Sequence, residues 1–128
     1  MKIVDRIFGV LLILGTCGHI AGTLMLAPAM SGIWIWSLGA GLTGLVLGPL
    51  HLLRAGRPHD RAVALIATLG TVGWFFVALA FGVSIHHVLD FRPFTHMIIS
   101  VVLVAFGMRT LLGAAGEPAG TSAAVTTA

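Results

Sequence analysis

The sequence predicts an all-α membrane protein, an antiparallel four-helix transmembrane bundle with both termini on the cytoplasmic side. Three observations predict it. Of the 128 residues, 58% are hydrophobic and only 9% charged, with a mean hydropathy of +1.07, a balance foreign to soluble domains. The apolar residues gather into four runs, each near the ~20 residues a helix needs to cross a ~30 Å hydrocarbon layer. The basic residues sit almost entirely at one set of run ends. None of the runs has the strict alternation of a barrel strand, so helices are what satisfies the backbone in lipid.

The first span covers about residues 7–27 and is preceded by Lys2 and Arg6. A basic start, an apolar run and Ala27-Pro28-Ala29 also fit a cleavable signal peptide. The run is longer than the usual ~7–15 apolar residues of such a leader, and its loss would spoil the charge bias. The second span, about 33–53, opens with Trp34 and Trp36 at the depth of the outer headgroups. Near its other end Pro49 removes the hydrogen bond to the Leu45 carbonyl, which predicts a kink. The connection 54–61 carries Arg54, Arg57 and Arg61, suited to anionic lipid, with Pro58 and Asp60 placed to turn the chain into a third span at 62–85. The fourth span, about 94–112, contains Arg109; the one basic residue on the far side is Arg92, beside Asp90. Connections this short force successive helices to be adjacent and antiparallel. Residues 1–113 thus form the bundle. Residues 114–128 are small and polar and are expected to be a disordered cytoplasmic tail.

The basic residues are scattered singly and form no stripe, which excludes nucleic acid as a partner. The single cysteine, Cys17, has no partner for a disulfide and fits a small apolar packing residue. Small residues recur at four-residue spacing, with Gly18 and Gly22, Gly44 and Gly48, Ala67 and Thr71, Ala78 and Gly82, so that helix backbones can approach closely. Gly15 shares the face of His19. Histidines 19, 51, 86 and 96 all fall on such faces, pointing toward protein and away from lipid, as ionisable groups in a membrane do. Candidate partners of His19 are Thr16, Thr23 or a backbone carbonyl.

At 1.5 Å per residue, His19 falls within about 5 Å of the midplane, His96 roughly 10 Å toward the outside, and His51 about 12 Å toward the inside. His19 and His96 are the candidate axial ligands of a b-type haem, His86, His87 and His96 with Met97 those of a copper or zinc ion. No carboxylate falls in an apolar centre, and no nucleophile, base and acid occur together. The function expected is therefore non-enzymatic: an accessory subunit, or a self-associating transport-type bundle, of a bacterial inner membrane. Its partners would be the lipid bilayer, further copies of itself or other membrane proteins. The alternatives are a histidine-ligated haem b or copper redox protein, and a transporter gated by protonation of His19.

Overall fold

The computed structural model describes residues 1–115, which form four helices: α1 Lys2–Leu26, α2 Gly32–Gly56, α3 Arg61–Ser84 and α4 Phe91–Ala115. All four are long and apolar enough to cross a membrane. They outrun the hydrophobic segments: α1 starts at Lys2, α2 continues through Pro49 to Gly56, and α4 starts at Phe91. Residues 114 and 115 close α4, and the remainder of the expected tail lies outside the described residues.

Local chemistry sets the helix ends. The Ser31 hydroxyl accepts the Trp34 N–H at 3.3 Å, and the Asp60 carboxylate accepts the Val63 N–H at 3.0 Å. After Ser84, His86 takes the left-handed conformation with φ 54. Its N–H and that of His87 bond back to the Val83 and Gly82 carbonyls at 3.0 and 2.9 Å, a Schellman closure of α3. A Cβ on Gly82 would lie 3.0 Å from the Val88 backbone, so the corner needs glycine there.

Asp90 then accepts both the Arg92 N–H, at 3.0 Å, and its guanidinium, at 2.8 Å. That hydrogen bonding lowers the Asp90 pKa from 3.8 to about 2. Because the folded value is depressed, the cap is fully present above pH 4 and is lost as pH falls through about 2. Amide exchange of residues 91–95 is expected to quicken in that window, and an Asp90→Asn variant to show no such step.

Packing is closest within two helical hairpins. On α1 and α2, Gly9 meets Leu52, Ile13 meets Gly48, Thr16 meets Gly44 and Ile20 meets Gly41, rising numbers on one helix against falling numbers on the other. On α3 and α4, Thr68 meets Gly107 in the same manner. Thr16 and Thr68 each donate their hydroxyl to the carbonyl four residues back, at 2.7 Å, which stows the proton and lets the side chain rest on glycine. Between the hairpins lies an apolar layer of Leu12, Leu47, Trp74, Ile99 and Leu103.

The two hairpins are related in sequence. Asp5-Arg6 followed by Leu14-Gly15-Thr16-x-Gly18 in α1 returns, at the same spacing, as Asp60-Arg61 and Leu69-Gly70-Thr71-x-Gly73 at α3. Gly48-x-x-x-Leu52-Leu53 in α2 returns as Gly107-x-x-x-Leu111-Leu112 in α4. Contacts repeat with the residues: Ile13 on Gly48 corresponds to Thr68 on Gly107. The bond from His19 to the Ser37 carbonyl corresponds to that from Trp74 to His96.

Candidate functional site

The most concentrated chemistry lies where α1 begins and α2 ends, here called the basic end. Asp5 and Arg54 form an ion pair with side-chain exposures of 9% and 1%. Arg54 uses each of its nitrogens. Nη2 donates to Asp5 Oδ1, Nη1 to Thr110 Oγ1 at 3.1 Å, and Nε to His51 Nδ1 at 3.2 Å. The opposite ring nitrogen, His51 Nε2, lies 2.6 Å from Thr71 Oγ1. The network touches all four helices; Asp5, His51, Arg54 and Thr71 are buried and Thr110 is half-buried. Among the described residues no buried side-chain nitrogen or oxygen lacks a partner.

Donor and acceptor roles follow from arginine, which can only donate. His51 Nδ1 must therefore be the acceptor, so Nε2 carries the proton and donates it to Thr71. Thr110 gives its own hydroxyl proton to the Phe106 carbonyl at 3.1 Å, which leaves a lone pair for Arg54. The side chains of His51 and Arg54 lean toward the start of α2, as helical side chains do, which carries their polar ends inward along the bundle. Thr71→Val would leave the His51 N–H unpaired in a dry interior. We expect a loss of about 1–3 kcal/mol, read as a lower unfolding midpoint in detergent, with Thr71→Ser retaining most of the stability.

This site departs from two sequence expectations. Arg54 was expected in the loop and is a buried member of α2, and Asp5, expected outside the apolar region, is a buried member of α1. The signal was the phase of each helix. Asp5 lies in register with the buried Gly9, Leu12, Thr16 and Thr23, and Arg54 with Gly44, Leu47 and His51. A charge at the edge of an apolar run marks the membrane surface only when it does not continue the inward face.

In the other half of the bundle the histidines are held singly. His19 Nε2 lies 3.1 Å from the Ser37 carbonyl, and its ring meets Phe81 edge-on at 6.4 Å. Thr23 donates to the His19 carbonyl at 2.9 Å. His96 sits with its ring Cε1 3.1 Å from where a Gly15 Cβ would be, one helical turn from His19, and Trp74 Nε1 donates to its Nδ1 at 3.4 Å. His86 and His87 are exposed at the α3 corner, while Met97 is buried. Among the described residues no three His, Cys, Asp or Glu side chains gather as a metal-ligating group.

The glycines singled out by spacing divide into two kinds. Gly15, Gly44, Gly48 and Gly82 are covered by neighbours, whereas a Cβ on Gly18 or Gly22 would meet nothing within 4 Å. Cys17, expected among the packing residues, is exposed on α1. Compared with models of known protein families, with curated proteins and with solved structures, the chain matches none.

Proposed function

We propose that the chain is a non-enzymatic integral membrane protein, an antiparallel four-helix bundle that serves as an accessory subunit or associates with itself as a transport-type unit. The observation that carries this is the saturation of the interior: Arg54, His51, Asp5, Thr71 and Thr110 satisfy one another and leave no polar group aimed at a vacant space. Such a network holds helices together; a catalytic set would present an unpaired nucleophile or base to a substrate. The reverse-order contacts of α1 and α2 support the antiparallel arrangement. Open small-residue positions at Gly18, Gly22, Gly39 and Gly73 leave room for helices of a partner or of a further copy.

The protein resides in a plasma membrane with both termini cytoplasmic. With Arg54 neutralised by Asp5, the bias still rests on Lys2, Arg6, Arg61 and Arg109 at the basic end, against Arg92, which is paired to Asp90. Native mass spectrometry from nanodiscs is expected to find oligomers or a co-purifying membrane protein, and a strictly solitary monomer overturns the proposal. Reporters fused at the two ends are expected to report the same, cytoplasmic, side.

One observation favours a second reading, in which His19 and His96 hold a b-type haem: His96 seats on α1 a single turn from His19. It predicts a Soret band in the purified protein that disappears in both His19→Ala and His96→Ala. Colourless protein after supplementation with haem ends that reading.

A further inference from the structure

The seam between the two hairpins is not tied evenly along its length. Side chain to side chain hydrogen bonds cross it, among the described residues, only at the basic end: His51 to Thr71, Arg54 to Thr110, and Arg109 Nη1 to Met1 Sδ at 2.8 Å. The covalent link is there too, since only residues 57–60 separate α2 from α3. At the far end the corners 27–31 and 85–90 belong to different hairpins, and no chain joins them.

In the far half the ring hydrogen bonds of His19 and Trp74 stay at home. His19 bonds to Ser37 inside the first hairpin, and Trp74 bonds to His96 inside the second. What crosses the seam there is ring against backbone or ring: His96 over Gly15, with a hydrogen bond to its backbone, and His19 edge-on to Phe81. Gly22 lies two turns beyond Gly15 on nearly the same face of α1, and nothing closes on it. Each hairpin by itself is stiff, because glycine lets its two backbones meet with side chains interlocked.

We propose that the molecule works as two rigid hairpins hinged at the basic end, where the Asp5–Arg54–His51 network clamps Thr71 and Thr110, and that the hairpins part from each other at the far end. The placement of the ion pair suits a hinge. Asp5 and Arg54 belong to the same hairpin, so relative motion of the halves strains, at the basic end, bonds to two neutral hydroxyls and to the Met1 sulfur and never separates opposite charges in a dry interior. The internal repeat supports rigid halves of one ancestry. Two residues of the clamp are where the repeat has diverged, Arg54 standing opposite Gly113 and His51 opposite Thr110, whereas Asp5 and Thr71 keep their counterparts Asp60 and Thr16. This inference goes beyond the accessory or transport reading and holds for either.

Spin labels on the full-length protein in nanodiscs test it, in a Cys17→Ser background. Label pairs at the exposed positions Val4 and Met108 report the basic end, Ile35 and Val83 the far end across the seam, and Leu24 and Ile35 the first hairpin alone. The first and third pairs are expected to give narrow distance distributions, and the second a distribution at least twice as broad or bimodal. Thr71→Val with Thr110→Val is expected to broaden the Val4 and Met108 pair while the Leu24 and Ile35 pair stays narrow. Equal widths at the two ends, or a basic end indifferent to loss of both threonines, overturns the hinge. With the labelled protein diluted into unlabelled protein, only distances within one copy are read, so failure here is separable from failure of the proposed function.

Discussion

Arg54→Met is expected to cost about 3–5 kcal/mol, the largest loss of any single substitution in the described bundle, because it strands a buried carboxylate. Asp5 would lose its guanidinium partner, and His51 Nδ1 and Thr110 would lose their donor at the same time. The double variant Asp5→Asn with Arg54→Met removes both charges and is expected to recover more than half of the loss. Arg54→Lys should fall between, since one ammonium cannot serve three acceptors spread over α1, α2 and α4. Unfolding midpoints in detergent, together with the yield of folded protein from membranes, measure the series. A double variant no more stable than Arg54→Met would show that the stranded carboxylate is not the source of the cost.

Gly44→Ala and Gly107→Ala are expected to cost about 1–3 kcal/mol each by overpacking. Both new methyl groups would fall on a threonine whose hydroxyl is fixed to a carbonyl, Thr16 to that of Leu12 and Thr68 to that of Ala64, so neither side chain can swing away without giving up its bond. The sites belong to different hairpins and share no partner, so the losses should add, to about 2–6 kcal/mol in the double variant. Gly18→Ala and Gly22→Ala provide the contrast. Their methyl groups meet nothing, so the monomer's stability should hold or rise slightly, through the better helix propensity of alanine. Should Gly18→Ala nonetheless reduce the oligomer seen by native mass spectrometry, the open face of α1 is where copies meet.

These two series separate what could be read from the chain and what could not. Length and hydropathy made four spans legible, because the solvent acts on each segment independently: about twenty apolar residues suffice for a helix in lipid whatever lies elsewhere in the chain. The turn signal Asp60 is local too, and it caps its helix. Spacing alone, however, could not tell Gly44 from Gly18. Both sit in a small-residue pair, yet one carries the closest contact of a hairpin and the other faces open space. The difference lies in which neighbour arrives, and that neighbour is far away in sequence.

The site shows the same division. Spacing puts His51 on a protein-facing surface, but it marks its partner Thr71 only as small; the hydropathy profile places Arg54 in a connection and Asp5 merely outside the apolar centres. A charge at a margin is ambiguous when considered alone. It resolves once a charge of the opposite sign, nearly fifty residues away, is brought to the same depth. The recurrence of Asp-Arg and Leu-Gly-Thr-x-Gly was present in the sequence throughout, and its meaning became plain when equivalent residues made equivalent contacts.

The chain by itself determined four helices long and apolar enough to cross a membrane, and the cap at Asp60, since those follow from the transfer of short segments and from hydrogen bonds between near neighbours. Only the tertiary structure decided that Asp5, Arg54, His51, Thr71 and Thr110 form one largely buried network at one end, while the far end is held by ring contacts and by His96 on the Gly15 backbone. The physical reason is that a buried charge is stable only beside its complement, and no single segment of this sequence contains both.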